Sequence, residues 1–171
     1  DFLFISGDLF DHVPDEDELY TVDKILLKLK NTNIIYVTGE ADYLKKDSPL
    51  WHYKFMSNVY LLNGDDFNRA GNTEELDGKR TEYAEKIIDC VHFEKYKLDI
   101  YGVCQYNPEN ERNDFDSIHI SHPEYINILL IHAGGEKVEP FEWDDIGTLK
   151  RFDYVALGHK HNFIQNVILM F

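Results

Sequence analysis

The chain has 171 residues, with 32 acidic side chains against 17 basic ones and a formal net charge of -15. This length is enough for one domain with a proper core, while so acidic a surface repels nucleic-acid phosphates and slows their approach. A mean hydropathy of -0.43 and the lack of a long apolar run in the sequence exclude a transmembrane helix. No secretory signal opens the sequence, so we expect a cytoplasmic protein.

Both ends of the sequence fall inside apolar runs, DFLFIS at the start and FIQNVILMF at the end. We therefore expect residues 1–171 to form a single domain that is a fragment of a longer chain, truncated at both ends.

The first forty residues predict a βαβ unit. The run FLFIS predicts a buried strand that ends at Gly7-Asp8. Residues 15–30 predict a helix, because they carry an apolar stripe of helical spacing with acidic residues at its front. The run NIIYVT, residues 33–38, predicts a second buried strand that ends at Gly39. Two strands joined by a helix imply parallel pairing.

The remaining sequence predicts a mixture of parallel and meander strands. VYLLN predicts a strand, 63–80 a loop, and KIIDCVHF with LDIYGVC two strands joined by a tight turn. INILLI and DYVAL predict further strands on either side of a short helix WDDIGTLKRF, and FIQNVILM predicts a last strand. This mixture favours an α/β sandwich over a single doubly wound sheet.

Four of these strands end in a carboxylate or an imidazole. The first ends at Asp8, the second at Glu40 and Asp42, the third at His132, and the last at His159 and His161, which bracket a lysine in GHKH. Since ligands of open α/β folds bind at the carboxyl ends of strands, we expect these side chains to converge at one edge. The glycines before them let the backbone turn sharply as it leaves the sheet.

This mixed set of oxygen and nitrogen ligands suits Mn, Fe or Zn better than Ca or Mg. Two neighbouring cations need a bridging carboxylate, and Asp8 is the natural candidate. A dinuclear centre polarises a phosphoryl group and lowers the pKa of bound water to give hydroxide. The metals, and not lysines, would then meet the phosphate of a substrate, which reconciles the site with the acidic surface.

The ordered motifs resemble the calcineurin-like metallophosphoesterase superfamily, whose pattern is GD, G-N-H-D/E, a lone H and GHxH. The chain shows Gly7-Asp8, then His132, then GHKH at 158–161. GDLFD, DYLKKDSP and IHAGGEKVEPF resemble the SbcD/YhaO-like branch of bacterial DNA-repair exonucleases. The resemblance implies a four-layer αββα sandwich and two divalent metal ions, Mn first, with Fe or Zn as alternatives.

The resemblance also assigns roles to residues. Asp8 would bridge the two ions, His132 and His159 would bind the second ion, and His161 would bind the first. The family's GNHD motif reads GEAD here. Glu40 replaces an asparagine that binds the second ion, and Ala41 replaces the histidine that protonates the leaving oxygen. The family's opening D-x-H motif, which supplies two ligands to the first ion, has no counterpart upstream of Asp1.

Other polar residues received less specific predictions. Asp11 and Asp42 are candidates for supporting the ligands, with helix entry as the alternative for Asp11 and helix capping favoured for Asp42. His12 is interpreted as a surface residue. The remaining histidines, which are interpreted as structural or solvent-facing, are His52, His92, His119 and His122.

Three functions follow as hypotheses. The first is a metal-dependent phosphodiesterase similar to a DNA-repair exonuclease, with DNA or another phosphodiester as substrate. The second, which GEAD favours, is a catalytically degenerate relative that serves as a binding or regulatory subunit. The third is a phosphatase of small nucleotides. An ATPase partner and a homodimer are implied by the resemblance alone.

Overall fold

A computed structural model of the chain describes residues 1–45, 47–62, 88–104, 118–132 and 149–159. Over these residues the fold is mixed α/β, with two sheets and few helices. The strands are β1 (Phe2–Ser6), β2 (Asn33–Val37), β3 (Val59–Leu61), β4 (Ile88–Phe93), β5 (Leu98–Val103), β6 (Ile126–His132) and β7 (Tyr154–Gly158), and the helices are α1 (Glu16–Leu26) and α2 (Pro49–His52). None of the helices in the described ranges is long and apolar enough to cross a membrane.

The first sheet has the order β1-β2-β3 and is entirely parallel. The predicted βαβ unit is thus confirmed. Its helix begins where the sequence predicts, because Asp15 caps the Glu18 backbone N–H while the Glu18 side chain reaches back to Asp15. The acidic first turn also suits the positive end of the helix dipole.

Helix α1 ends at Leu26, which is earlier than the predicted end at residue 30. The backbone beyond it forms tight turns, with the Lys28 and Leu29 N–H groups donating to the carbonyls of Ile25 and Leu26. The apolar stripe predicted for residues 15–30 is not buried along its whole length. Two of its residues, Ile25 and Leu29, are 55% and 42% exposed. The buried face instead includes Asp23, which accepts hydrogen bonds from the Met56 and Ser57 backbones.

The second sheet has the order β4-β5-β6-β7. Strands β4 and β5 pair antiparallel through the turn at Glu94–Tyr96, as predicted, whereas β5, β6 and β7 are mutually parallel. The predicted loop 63–80, the last predicted strand and residues 143–148 of the predicted helix 143–152 lie outside the described residues.

The two sheets pack against each other through an apolar core. Gly102 on β5 has no room for a side chain, since a Cβ there would lie 2.6 Å from Cγ1 of Val37 on β2. At the far end of the interface, the Phe2 and Phe93 rings meet edge to face with centroids 5.0 Å apart. The Ser6 hydroxyl on β1 lies 3.4 Å from the carbonyl oxygen of Ala156 on β7. This packing brings the carboxyl ends of β1, β2, β6 and β7 together.

Candidate metal centre

The ends of these four strands carry what we call the strand-end site: Asp8, Glu40, His132 and His159. The ligand atoms of the last three lie within 4.8 Å of one another. Asp8 lies beside these three residues, with its Oδ2 atom 3.2 Å from His132 Nε2. The predicted convergence therefore holds for these residues. His161, the predicted ligand of the other ion, lies outside the described residues.

The turn after β1 brings Asp8 into the site through an unusual backbone. Gly7 has a φ of +83° and Asp8 a φ of +52°, so two consecutive residues occupy the left-handed region. A Cβ on Gly7 would lie 2.2 Å from His132 Nδ1. The glycine is thus required both by its backbone conformation and by the close approach of the imidazole, which adds a packing reason to the predicted sharp turn.

His132 is held by the backbone of the first sheet. Its Nδ1 lies 2.9 Å from the carbonyl oxygen of Ser6, and the side chain is 1% exposed. Because a carbonyl oxygen only accepts, Nδ1 carries the proton and donates it. The second nitrogen, Nε2, then presents its lone pair towards Asp8. Metal-binding histidines are commonly oriented in this way by a carbonyl on the opposite side of the ring.

His159 and Glu40 meet from different sheets. His159 has a φ of +94°, which is strained for a residue with a side chain. Its Nδ1 lies 3.0 Å from Glu40 Oε1, and its ring stands at 85° to that of His132. Glu40 Oε1 is buried, yet no group in the described part of the chain donates to it in hydrogen-bond geometry. The carboxylate and the imidazole are therefore close without the geometry of a hydrogen bond.

Asp42 holds the turn that contains Asp8. Its buried carboxylate accepts from the backbone N–H groups of Gly39 at 2.6 Å and Leu9 at 2.8 Å, and from that of Asp8 at 3.1 Å. The Tyr36 hydroxyl also donates to it. Burial and the nearby Asp42 carboxylate raise the pKa of Tyr36, so the phenol keeps the proton that it donates.

The helix-capping role favoured for Asp42 is therefore wrong, since α2 begins at Pro49 and Ser48 holds its N-cap position. Asp42 instead ties the end of β2 to the turn after β1. Asp11 lies away from the site, with a 94% exposed side chain that contacts the ring of His12. It does not enter a helix either, because the residue at the start of α1 is Asp15.

Position 41 lies beside Asp8, since the Ala41 N–H donates to Asp8 Oδ1 at 3.0 Å. This bond fixes one carboxylate oxygen and leaves Oδ2 directed at His132. The methyl side chain of Ala41 has no proton to give. The backbone of the GEAD segment thus supports the ligand set, while its side chain lacks the acid that the family motif supplies.

A second cluster, which the sequence did not predict, lies on the β4–β5 hairpin. We call His92, Asp99 and His122 the hairpin cluster. Asp99 Oδ1 lies 2.5 Å from His92 Nδ1, and Asp99 Oδ2 lies 2.9 Å from His122 Nδ1. Of the two roles predicted for His92 and His122, structural or solvent-facing, these contacts fit the structural one. The signal was the hairpin register, because His92 and Asp99 are direct cross-strand partners.

Two further residues adjoin the hairpin cluster. Glu94 Oε2 lies 3.0 Å from His92 Nε2, and the Tyr125 hydroxyl donates to Glu94. Hydrogen bonding to Asp99 raises the pKa of His92, and hydrogen bonding to His92 lowers the pKa of Glu94. The Tyr125 ring stacks on both imidazoles, at 16° to His92 and 26° to His122.

Comparison with models of known protein families gives no match to this chain, and comparison with curated proteins gives none either.

Proposed function

We propose that the protein is a metal-dependent phosphodiesterase, similar to the DNA-repair exonucleases of the calcineurin-like metallophosphoesterase superfamily, with a four-layer αββα sandwich as its complete fold. The observation that carries this proposal is the strand-end site, in which four strand ends from two sheets deliver two carboxylates and two imidazoles to one place. The order of these residues along the chain follows the order of the family's motifs.

The residues fit a divalent transition metal ion. Two imidazole nitrogens and two carboxylate oxygens suit Mn, Fe or Zn. The burial of Glu40 Oε1 without a hydrogen-bond donor among the described residues leaves that oxygen available to a cation. Within the proposal, these residues would hold one ion, and Asp8 and His161 would hold a second. Bound divalent ions would activate water and neutralise the charge of the phosphate.

The chain itself contributes orientation. The Ser6 carbonyl fixes the tautomer of His132, and the Ala41 N–H fixes one oxygen of Asp8, so neither ligand has to reorganise when a cation binds. Asp42 maintains the turn at Asp8 through the bonds that cross from β2 to β1. Such preorganised groups lower the cost of stabilising charge that develops in a transition state.

The weakest element of the proposed reaction is proton delivery to the leaving oxygen. Ala41 stands where the family has a histidine, and the loss of a general acid typically lowers a rate by about 10²–10⁴-fold. We therefore expect a slow enzyme. Ala41 is also the observation that favours the second candidate function, a metal-binding regulatory or binding subunit without turnover. An ATPase partner and a homodimer remain part of the proposal through the resemblance only.

The test is hydrolysis of bis(p-nitrophenyl) phosphate and of a labelled DNA duplex in Mn²⁺, compared between the full chain and its His159→Ala variant. If the protein is a phosphodiesterase, we expect slow Mn²⁺-dependent cleavage of a diester by the full chain and no cleavage by His159→Ala. Cleavage of a nucleoside monophosphate but of neither diester would favour the small-nucleotide phosphatase. Mn²⁺ binding with no cleavage of any of the three substrates would favour the binding subunit and overturn the enzyme.

A further inference from the structure

The hairpin cluster offers a carboxylate and two imidazoles at one point, separate from the strand-end site. One ligand atom from each of His92, Asp99 and His122 lies within 4.8 Å of the other two. The three residues come from three places: β4, β5 and the segment that precedes β6. They lie outside every motif that carries the family resemblance.

The carboxylate of Asp99 is buried between two imidazoles. Its side chain is 1% exposed, and its partners among the described residues are the two imidazoles and the hydroxyl of Tyr101. None of these carries a permanent positive charge. A buried carboxylate is costly unless it is paired with a cation. A metal ion between Asp99 and the imidazoles would supply the compensating charge directly.

The contacts of His92 support the same conclusion. Carboxylate oxygens face both of its nitrogens, Asp99 Oδ1 at 2.5 Å from Nδ1 and Glu94 Oε2 at 3.0 Å from Nε2. An ion bound at Nδ1 would lie between His92 and Asp99, while the Nε2 N–H would donate to Glu94, as the second nitrogen of metal-binding histidines does to a carboxylate.

The cluster can open to admit an ion. Two ligand atoms at about 2.0–2.1 Å from a tetrahedral Zn²⁺ lie roughly 3.4 Å apart, which is more than the 2.5 and 2.9 Å that now separate Asp99 from the rings. The two imidazoles must therefore move outward by less than 1 Å, roughly the difference between these spacings. Their side chains are 31% and 41% exposed, so solvent lies on the side to which they would move.

We propose that His92, Asp99 and His122 form a second transition-metal site, of the Zn²⁺ class, which ties the segment before β6 to the β4–β5 hairpin. Imidazole nitrogens with one carboxylate favour Zn²⁺ over Ca²⁺ or Mg²⁺, which prefer all-oxygen ligands. Glu94 is placed to orient His92 from the opposite side of the ring. The site is independent of the proposed phosphodiesterase.

The test is calorimetric titration of the metal-free full chain with Zn²⁺. The unchanged protein is compared with His122→Ala, and His119→Ala is the matched control. Both histidines belong to the same segment, but His119 is exposed and lies outside the cluster. Removing a ligand should weaken one Zn²⁺ binding event by at least about 10-fold. We expect this loss in His122→Ala, and we expect His119→Ala to bind as the unchanged protein does.

Two further measurements separate the sites and guard against misfolding. His159→Ala should retain the Zn²⁺ event that depends on His122, so failure of the strand-end site would leave this proposal standing. In ¹H–¹⁵N spectra of the unchanged protein, Zn²⁺ should shift the ring nitrogens of His92 and His122. Identical titrations of the two alanine variants, or unshifted ring nitrogens, would overturn the proposal and leave the cluster as a hydrogen-bonded network.

Discussion

The strand-end site and the hairpin cluster use the same chemistry in different ways. Both place carboxylate oxygens about 3 Å from imidazole nitrogens. In the hairpin cluster these contacts are hydrogen bonds, and two of the three residues are cross-strand partners on one hairpin. In the strand-end site Glu40 Oε1 has no donor among the described residues, and the ligands come from four strands of two sheets.

The backbones differ as well. Asp8 and His159 have positive φ values of 52° and 94°, whereas His92 and Asp99 sit in regular strands. Strained residues persist only where the surrounding structure holds them, and they concentrate at functional sites. Asp42 provides that support at Asp8, whose backbone N–H donates to it. The strand-end site thus combines strained backbone with an oxygen that has no donor among the described residues, whereas the hairpin cluster is held by hydrogen bonds.

The largest effect should come from restoring the missing acid. We expect Ala41→His to raise the rate of Mn²⁺-dependent bis(p-nitrophenyl) phosphate hydrolysis by about 10²–10⁴-fold, because position 41 adjoins Asp8 and an imidazole there can protonate the leaving oxygen. Steady-state kinetics would measure this. Ala41→Asn is the control, since it adds polarity without a proton of suitable pKa. Equal rates in the two variants would contradict the assigned role of position 41.

The next largest effect should come from Asp42. In Asp42→Ala, several buried backbone N–H groups and the Tyr36 hydroxyl lose their acceptor, which should lower the free energy of unfolding by about 3 kcal/mol. Mn²⁺ affinity should fall by about 10–100-fold, because the turn at Asp8 is released. Urea denaturation and Mn²⁺ calorimetry would measure both quantities.

Asp11→Ala is the matched control for Asp42, because its exposed carboxylate lies in the turn after β1 but contacts only His12 among the described residues. We expect it to leave Mn²⁺ affinity unchanged and to lower stability far less than Asp42→Ala does, because the contact with His12 is exposed. Mn²⁺ affinity that survives in Asp42→Ala would show that Asp42 serves the fold and not the site.

A smaller effect is expected at the hairpin. Asp99→Asn replaces an acceptor of two imidazole N–H groups by an amide that can accept at only one atom, which should cost about 1–3 kcal/mol of unfolding free energy. Mn²⁺ affinity at the strand-end site should be unchanged, because the two clusters share no residue. Glu124→Gln, in the exposed segment nearby, is the control for stability. Loss of Mn²⁺ binding in Asp99→Asn would show that the two regions are coupled.

The smallest effect concerns an exposed imidazole that belongs to neither region. Hydrogen bonding to Asp11, and then to Glu18, raises the pKa of His12 above 6.5. Its contribution to stability is therefore fully present below pH 6.5 and is lost as the pH rises through the higher folded-state pKa. An NMR titration should show a fall of this pKa in both Asp11→Asn and Glu18→Gln. An unchanged pKa in the two variants would contradict these contacts.

Much of the fold was predictable because it is recorded locally. Apolar runs with a clear polar or glycine stop predicted β1, β2, β6 and β7, and the Asp15–Glu18 capping box marked the start of α1. The end of α1 was not predictable from its leucines, because Leu29 is left exposed by a turn that no sequence pattern announces. Burial of the charged Asp23 on the same helix depends on N–H groups more than thirty residues away.

The residues of the two clusters were likewise predictable where the signal is local and unpredictable where the partners are distant in sequence. Strand ends predicted the convergence of Asp8, Glu40, His132 and His159, since parallel topology determines which ends meet. The role of Asp42 was mistaken because its partners on the turn after β1 are distant in sequence. The partner of His122 was not predictable for the same reason, since His122 reaches Asp99 from a different segment. The pairing of His92 with Asp99 could have been read from the hairpin register.

The most direct test of the strand-end site is its metal content. The full chain, dialysed against Mn²⁺ and then against metal-free buffer, would be assayed by elemental analysis beside His159→Ala and His122→Ala. We predict that Mn²⁺ is retained at one or more ions per chain, lost from His159→Ala and kept by His122→Ala. A chain that retains no Mn²⁺, or a His159→Ala variant that retains as much as the unchanged protein, would contradict the proposed metal centre.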